Sequence, residues 1–140
     1  LTIINPDAPS ERKLRSIVPD FSTDAGHLGL YGGIETGKTV QVCLATPAQL
    51  LQEVDEIAAR AARAAFQPKA ALIVSCGGRK QMLGPQIGNE ISRLTGAFAE
   101  RLPLAGFPSF GEIAPLQGPA GYTRNLFHNM TYVLLLLGDR

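Results

Sequence analysis

The stretch from Ala70 to Lys80 places the strongest constraint on the fold. It reads Ala-Ala-Leu-Ile-Val-Ser-Cys-Gly-Gly-Arg-Lys, so that an apolar run ends at two consecutive glycines. Such a run is typical of a short buried strand, and a helical pattern begins a few residues later. The sequence therefore predicts a strand, a loop and a helix, the arrangement that forms crevices at the carboxyl ends of strands in α/β proteins.

The predicted loop, Gly77 to Lys80, is a candidate anion site. The N-terminus of a helix offers unpaired N–H groups and the positive end of the helix dipole. Arg79 adds a planar guanidinium that can hold a carboxylate by two hydrogen bonds. Two glycines alone lack the spacing of a P-loop or a dinucleotide fingerprint, so a tight turn beside a solvated arginine is the alternative interpretation.

The composition is that of one folded globular domain. The chain has 140 residues, of which 45% are hydrophobic and 18% are charged. A chain of this size can bury one core and is too apolar to be disordered. The 13 basic and 12 acidic residues include no basic cluster, and we therefore expect no nucleic-acid or membrane partner.

Neither cysteine predicts a disulfide or a metal site. Cys43 and Cys76 have no histidine or second cysteine at metal-ligand spacing, so we expect no metal and no cofactor. The longest aliphatic run, Val133 to Leu137, is far shorter than the ~20 residues that cross a bilayer, so we expect a soluble protein. Two cysteines without a predicted disulfide favour a reducing compartment, the cytoplasm. Because the sequence starts at Leu1 rather than at methionine, we expect residues 1–140 to be a domain of a longer chain.

A capping box marks the start of the first long helix. Thr46 is followed by a proline and, three positions on, by Gln49, and apolar residues then repeat every three or four positions to Phe66. This pattern predicts one amphipathic helix from Thr46 to about Phe66.

Two strands are predicted before this helix. Alternating apolar residues in His27–Tyr31 and Thr39–Ala45 predict a hairpin. The second of these strands, the capped helix and the strand Ala70–Cys76 then predict a right-handed crossover between parallel strands.

A second helix and a final strand complete the predicted fold. The helix is expected from Pro85 to Glu100, with Glu90 beside its apolar stripe. The run Val133–Leu137 shows no alternation, which predicts a strand buried on both faces. The fold class is α/β (α+β): a single two-layer domain with a mixed sheet of about six strands and two main helices, in the order ββαβαβββ.

Between these elements, one carboxylate stands in an apolar setting. Glu112 follows Gly111 and lies among Phe107, Phe110 and Ile113. A buried carboxylate requires a partner because an unpaired buried charge is very costly.

Several motifs together resemble one family. They are a strand ending in Ser-Cys-Gly-Gly-Arg, a helix with Glu90, the segments Pro-Leu-Ala-Gly-Phe and Phe-Gly-Glu-Ile-Ala-Pro, and His128-Asn129-x-Thr131 before a hydrophobic strand. In this order and spacing the chain resembles the C-terminal domain of the FIST family (F-box and intracellular signal transduction proteins) over nearly its whole length. The resemblance implies an intracellular sensory domain for a small ligand, with amino acids among the proposed ligands, and an N-terminal FIST domain in the same chain.

The resemblance, with the glycines and the aromatic residue beside its motifs, gives a set of candidate ligand-binding residues: Cys76, Gly77, Gly78, Arg79, Glu90, Gly106, Phe107, Gly111, Glu112, His128 and Asn129. In this hypothesis Arg79 holds a ligand carboxylate, Glu112 meets an amino group, and His128 or Asn129 supplies hydrogen bonds. No catalytic residue is assigned.

Two alternatives to a sensor remain. In a cysteine-dependent enzyme, Cys76 would be the nucleophile and His128 its base, oriented by Glu112 or Asn129. A free cysteine is more often a small buried hydrophobe, and we expect Cys76 to be unreactive. The second alternative is a scaffold or interaction module, and the apolar sheet also leaves an oligomer open.

Overall fold

The computed structural model describes residues 2–4, 12–18, 26–98, 102–118 and 121–139. The chain forms two compact units. Unit 1 comprises Leu1–Leu44 and Phe110–Thr131, and unit 2 comprises Ala45–Ser109 and Tyr132–Arg140.

The elements of unit 1 are short strands: β1 (Thr2–Ile4), β2 (Lys13–Leu14), β3 (Thr39–Gln41), β6 (Glu112–Ala114), β7 (Gln117–Gly118), β8 (Gly121–Tyr122) and β9 (Leu126–His128). Unit 2 contains the helices and the longer strands: α1 (Pro47–Ala61), β4 (Gln67–Cys76), α2 (Gly77–Leu83), a 3₁₀ turn (Gly84–Ile87), α3 (Gly88–Gly96), β5 (Leu104–Ser109) and β10 (Tyr132–Asp139).

Unit 2 has two layers, a mixed sheet and the helices packed on one of its faces. The strand order is β10-β4-β5, with β10 antiparallel and β5 parallel to β4. Its core joins α1 and α3 to the sheet through Val54, Ala58, Ile73, Leu94 and Tyr132. The α/β class, with helices on a mixed sheet, is confirmed. Among the described residues the strands form four small sheets rather than one sheet of about six strands.

The capping box at the start of α1 is confirmed. The Thr46 hydroxyl accepts a hydrogen bond from the Gln49 N–H at 3.3 Å, and the Gln49 side chain accepts one from the Thr46 N–H at 2.8 Å. The helix ends at Ala61, earlier than Phe66. The reason is that β4 begins at Gln67, opposite Asp139 of β10, and the chain needs the intervening residues to turn.

The predicted hairpin and the crossover that follows it are wrong. Strand β3 pairs antiparallel with β1, and Leu30 forms a bridge with Ile17. The parallel crossover instead joins β4 to β5 through α2 and α3. Alternation in the sequence shows that a segment is extended, but it does not identify the strand with which the segment pairs.

The predicted Gly-Gly loop is also wrong, since Gly77 and Gly78 are the first residues of α2. The second helical region is interrupted where Gly84 adopts a φ of 50° and Pro85 lacks an N–H for the helix. The result is a short helix, a 3₁₀ turn and α3 in place of one helix from Pro85, and the predicted end at Glu100 lies outside the described residues.

Strand β10 is not buried on both faces as predicted. Among the described strands it lies at an edge of its sheet, and Leu135 and Leu137 are 51% and 52% exposed. Alternate residues, among them Tyr132 and Leu134, face the helices. The run of leucines therefore gave no sign that one face of this strand is buried and the other exposed, because both faces of the sheet carry apolar residues.

Candidate functional site

Arg79 joins the three helical segments of unit 2 from a completely buried position. Its Nε donates to Glu90 Oε1 at 2.7 Å, and one terminal nitrogen donates to the Leu50 carbonyl at 3.0 Å. The other terminal nitrogen contacts Glu53 at 3.4 Å. The side chain is 0% exposed, so its charge is compensated by these partners and not by water.

Glu90 is the main partner of this guanidinium and is itself only 3% exposed. Its second oxygen, Oε2, accepts a hydrogen bond from the Ser75 hydroxyl at 3.0 Å. Both carboxylate oxygens thus have donors. The cation and the hydroxyl beside it offset part of the cost of burying this carboxylate.

Tyr132 lies under the Arg79 guanidinium, with its ring centroid 5.5 Å from Cζ. Within the described part of the chain its buried hydroxyl has no hydrogen-bond partner. Burial, with a smaller contribution from the Glu90 charge, raises the pKa of Tyr132 above its ordinary value, and Arg79 opposes this shift. The hydroxyl therefore stays protonated beside the ion pair.

A cavity of about 520 Å³ adjoins this ion pair in unit 2. It is lined by Ile73, Ser75 and Cys76 of β4, by Lys80, by Ile87, Glu90 and Ile91, and by Leu104 to Pro108 of β5. The lining is mainly apolar, with the hydroxyl, thiol, ammonium and carboxylate groups as its polar side chains. Apolar walls with a few polar groups are the usual composition of small-molecule sites.

One wall of the cavity consists of five consecutive residues of β5, Leu104 to Pro108. Leu104, Gly106 and Pro108 lie on the same face of the sheet as Ile73 and Ser75 of β4, and these two residues also line the cavity. The cavity therefore lies on the helix side of the sheet, and its contact with all five residues shows that it reaches the β5 backbone. Within the described ranges, β5 pairs with β4 alone.

The predicted site residues of unit 2 divide into two groups. Cys76, Glu90, Gly106 and Phe107 line the cavity. Gly77, Gly78 and Arg79 are in the first turn of α2 and are not part of the lining.

Ser75 and Lys80 also line the cavity, although neither was assigned a ligand contact from the sequence. Lys80 lies four positions after Cys76, which is one helical turn. This spacing becomes a signal only once α2 is known to begin at Gly77.

The remaining predicted residues meet in unit 1. Glu112 lies opposite His128 in the β6–β9 pair, and its Oε2 accepts hydrogen bonds from the Thr131 hydroxyl at 2.8 Å and the Thr131 N–H at 3.3 Å. The carboxylate is 2% exposed. Gly111 lies against Phe127, and a Cβ at this glycine would overlap the ring. Thr131, as the donor to Glu112, is a partner that the sequence analysis did not identify.

His128 and Asn129 are almost completely buried and hold neighbouring backbone in place. His128 Nδ1 accepts a hydrogen bond from the Leu14 N–H at 3.3 Å. Asn129 accepts one from the Ser16 N–H and donates one to the Phe110 carbonyl, both at 3.4 Å. Burial lowers the pKa of His128 below its ordinary value, although the Ala114 backbone opposes this.

Arg15 is a further buried residue of unit 1 that sequence reasoning missed. It donates to the carbonyls of Gly33, Leu14 and Phe127 at 3.0, 2.9 and 2.8 Å, and it lies over the Phe127 ring. Burial lowers its pKa, while Glu35 raises it. Its position in a charged and poorly patterned segment gave no sign of burial.

The two residues of the enzyme hypothesis belong to different units. Cys76 is 6% exposed in unit 2, and His128 is in unit 1 with Nδ1 hydrogen-bonded to the Leu14 backbone. Their pairing stays a prediction. Within the described residues, no group of three or more histidine, cysteine or carboxylate side chains is placed to hold a metal ion.

The helices packed on a mixed sheet define an α/β protein. A family model described as the FIST C domain matches residues 3–115. The chain belongs to this family, as its motifs predicted, and the family is associated with signal transduction. Comparisons with curated proteins and with solved structures gave no match. None of the described helices combines the length and the apolar character needed to cross a membrane.

Proposed function

We propose that this chain is an intracellular sensory domain that binds a small carboxylate ligand, such as an amino acid with an apolar side chain, in the unit 2 cavity. The observation that carries the proposal is the lining of that cavity, in which Lys80 and Glu90 accompany an apolar wall. Its volume of about 520 Å³ is within the range of small-molecule sites.

The roles follow from the charges that line the cavity. Lys80 is exposed and can meet a carboxylate, while Ile73, Ile87 and Ile91 offer contacts for an aliphatic group. Glu90 is held by Arg79 and Ser75 and can accept a further hydrogen bond from an ammonium group.

Arg79 has a supporting role in this proposal. Its donors already contact Glu90, Glu53 and the Leu50 carbonyl. We therefore propose that Lys80, and not Arg79, binds the ligand carboxylate. The ligand contacts predicted for Glu112, His128 and Asn129 stay predictions.

The association of the family with signal transduction suggests a second module that receives the signal from this domain. A domain of a signal-transduction family that binds a metabolite would report it to another module, and we propose that a FIST N-terminal domain in the same polypeptide, located in the cytoplasm, is the neighbouring module.

Calorimetric titration tests the binding proposal. Valine, leucine and phenylalanine, with the matching simple carboxylates, are titrated into the 140-residue chain and into its Lys80→Gln and Lys69→Gln variants. Lys69 is an exposed residue of β4 outside the cavity and serves as the control. Loss of one exposed charge contact of up to ~1 kcal/mol weakens binding by up to about fivefold. No binding of any of these compounds, or equal affinity in the two variants, would contradict the assignment.

A further inference from the structure

The geometry of β5 points to a more specific ligand class, and we propose that the cavity accepts an extended peptide that adds as a strand along the outer edge of β5. This inference rests on the proposed binding role of the cavity and names the kind of molecule that it takes. The peptide carries an apolar side chain for the wall formed by Ile87 and Ile91, and a carboxylate for Lys80.

The direction of the β5 backbone groups follows from its pairing with β4. The Ala71 N–H donates to the Pro103 carbonyl at 2.9 Å, and Ala71 lies beside Leu104. In a parallel ladder alternate residues turn their N–H and C=O groups toward the partner strand. Ala105 and Phe107 therefore face β4, and Leu104, Gly106 and Pro108 direct their backbone groups to the outer edge.

The position of Pro108 is consistent with this direction of the β5 backbone groups. Proline has no N–H to donate and is accepted in a sheet where its nitrogen faces away from a partner. Its nitrogen is on the outer edge of β5, so the pairing with β4 loses no hydrogen bond. The outer edge then offers the N–H groups of Leu104 and Gly106 and the carbonyls of Leu104, Gly106 and Pro108.

These groups recur at every second residue, which is the spacing of the complementary groups in another extended strand. A single amino acid can match one such residue, whereas a peptide matches all of them. Peptide-binding domains that use this mode gain affinity from the backbone and specificity from pockets for alternate side chains. The cavity on the helix side of β5 provides such a pocket, and it is within reach because Leu104, Gly106 and Pro108, whose backbone groups face the outer edge, also line it.

Backbone-methylated peptides give a direct test. The probe is acetyl-Thr-Val-Thr-Val with a free C-terminal carboxylate, compared with one version N-methylated at both valines and another at both threonines. Only one set of amides can face β5, so one methylated version should bind at least about tenfold more weakly and the other within about twofold of the parent. Equal affinities for the two methylated versions would overturn the strand-addition geometry.

Measurements on the protein side do not depend on a disruptive variant. On addition of the tetrapeptide, amide hydrogen exchange should slow at Leu104 and Gly106 and stay unchanged at Ala105, whose N–H already faces β4. Lys80→Gln should weaken the binding of the free-acid peptide and leave its C-terminal amide unaffected, while Lys69→Gln should change neither. Equal slowing at all three β5 amides would overturn the proposal.

The outcomes separate this inference from the proposed function. If free valine binds and the tetrapeptide does not, the peptide assignment fails and the small-ligand site stands. If the tetrapeptide binds and slows exchange at Leu104 and Gly106 but not at Ala105, and free amino acids do not bind, the peptide assignment stands and the small-ligand proposal fails. Slow exchange at Leu104 and Gly106 without peptide, together with a dimer in sedimentation, would assign the edge to a second copy of the chain and overturn the peptide.

Discussion

The buried pair of Arg79 and Glu90 is the residue-scale feature on which unit 2 depends most. Each side chain is at least nine-tenths buried, and the two lie 11 positions apart on different helices. Removing Glu90 leaves the buried Arg79 charge with only the exposed Glu53, at 3.4 Å, as a charged partner, and breaking a buried pair in this way costs more than the pair itself contributes.

Glu90→Gln should therefore lower the free energy of unfolding by roughly 3–5 kcal/mol. Urea denaturation measures the loss, and Glu56→Gln, which alters an exposed carboxylate of α1, should change stability by less than about 0.5 kcal/mol. A loss below about 1 kcal/mol in Glu90→Gln would mean that Glu53 is sufficient to compensate the Arg79 charge.

His128 should make the stability of the chain depend on pH. Its folded-state pKa lies below its ordinary value because of burial, with Arg15 and Lys13 acting in the same direction and Glu112 and the Ala114 backbone opposing. Below the ordinary pKa of about 6.5 the unfolded chain binds a proton that the folded chain does not, so stability falls as the pH falls, by up to ~1.4 kcal/mol per pH unit.

Urea denaturation between pH 5 and pH 8 measures this dependence. The His128→Gln variant should lose that part of the slope, and His27→Gln, at an exposed position, should retain it. A slope that is the same in wild type and His128→Gln would show that His128 does not contribute.

Alkylation of the two cysteines distinguishes a structural thiol from a nucleophile. Cys76 is buried and Cys43 is exposed, so iodoacetamide at neutral pH should modify Cys43 at least about tenfold faster in the folded chain. Peptide mapping gives both rates from one sample, and denatured protein supplies the reference. Faster modification of Cys76, absent in Cys76→Ser, would favour the enzyme hypothesis.

At the scale of elements, the sequence predicted those features that depend on residues close together in the chain. The start of α1 depends on contacts within Thr46–Gln49, and β4 is marked by its apolar run and the two glycines. The partner of β3 and the edge position of β10 depend on distant residues, and no pattern within either segment contains that information.

The same distinction applies to the candidate site. Glu112 was identified as unusual from its neighbours in sequence, and Glu90 was placed beside an apolar stripe, but neither residue was assigned its partner. Arg79 and Thr131 are 11 and 19 positions away from them, and the fold alone brings each pair together. Lys80 was missed because the segment after Cys76 was predicted as a loop, which removes the helical spacing that places it at the cavity.

The capping box offers a test at this scale. Thr46→Ala removes the acceptor for the Gln49 N–H and should cost about 1 kcal/mol of stability. Thr46→Ser keeps a hydroxyl at the cap and should cost less. Equal losses in the two variants, measured by urea denaturation, would mean that the cap does not stabilise α1.

At the scale of the whole molecule, the described residues of unit 2 place the helices on one face of its sheet and exposed apolar side chains on the other. Leu134 packs on the helix-side core, whereas Leu135 and Phe107 are 51% and 56% exposed on the other face. The strand buried on both faces that was predicted from the run Val133–Leu137 would need a cover on this face, and another copy of the chain is one source of such a cover. That cover stays a prediction.

Adjacent leucines of β10 measure how open this face is in solution. Leu134→Ala removes contacts that a partly buried side chain makes with the core of α1, α3 and β4 and should cost about 2 kcal/mol, the low end of the range for leucines in cores. Leu135→Ala acts on a side chain that is already half exposed and should cost less than about 1 kcal/mol, because little apolar surface returns to water. The two residues share a strand and differ by one position, so strand propensity cancels in the comparison.

Urea denaturation at two protein concentrations gives both losses. A loss in Leu135→Ala that equals the loss in Leu134→Ala at the higher concentration, and disappears on dilution, would show that a second copy covers the face; an equal loss at both concentrations would show that the chain covers it itself.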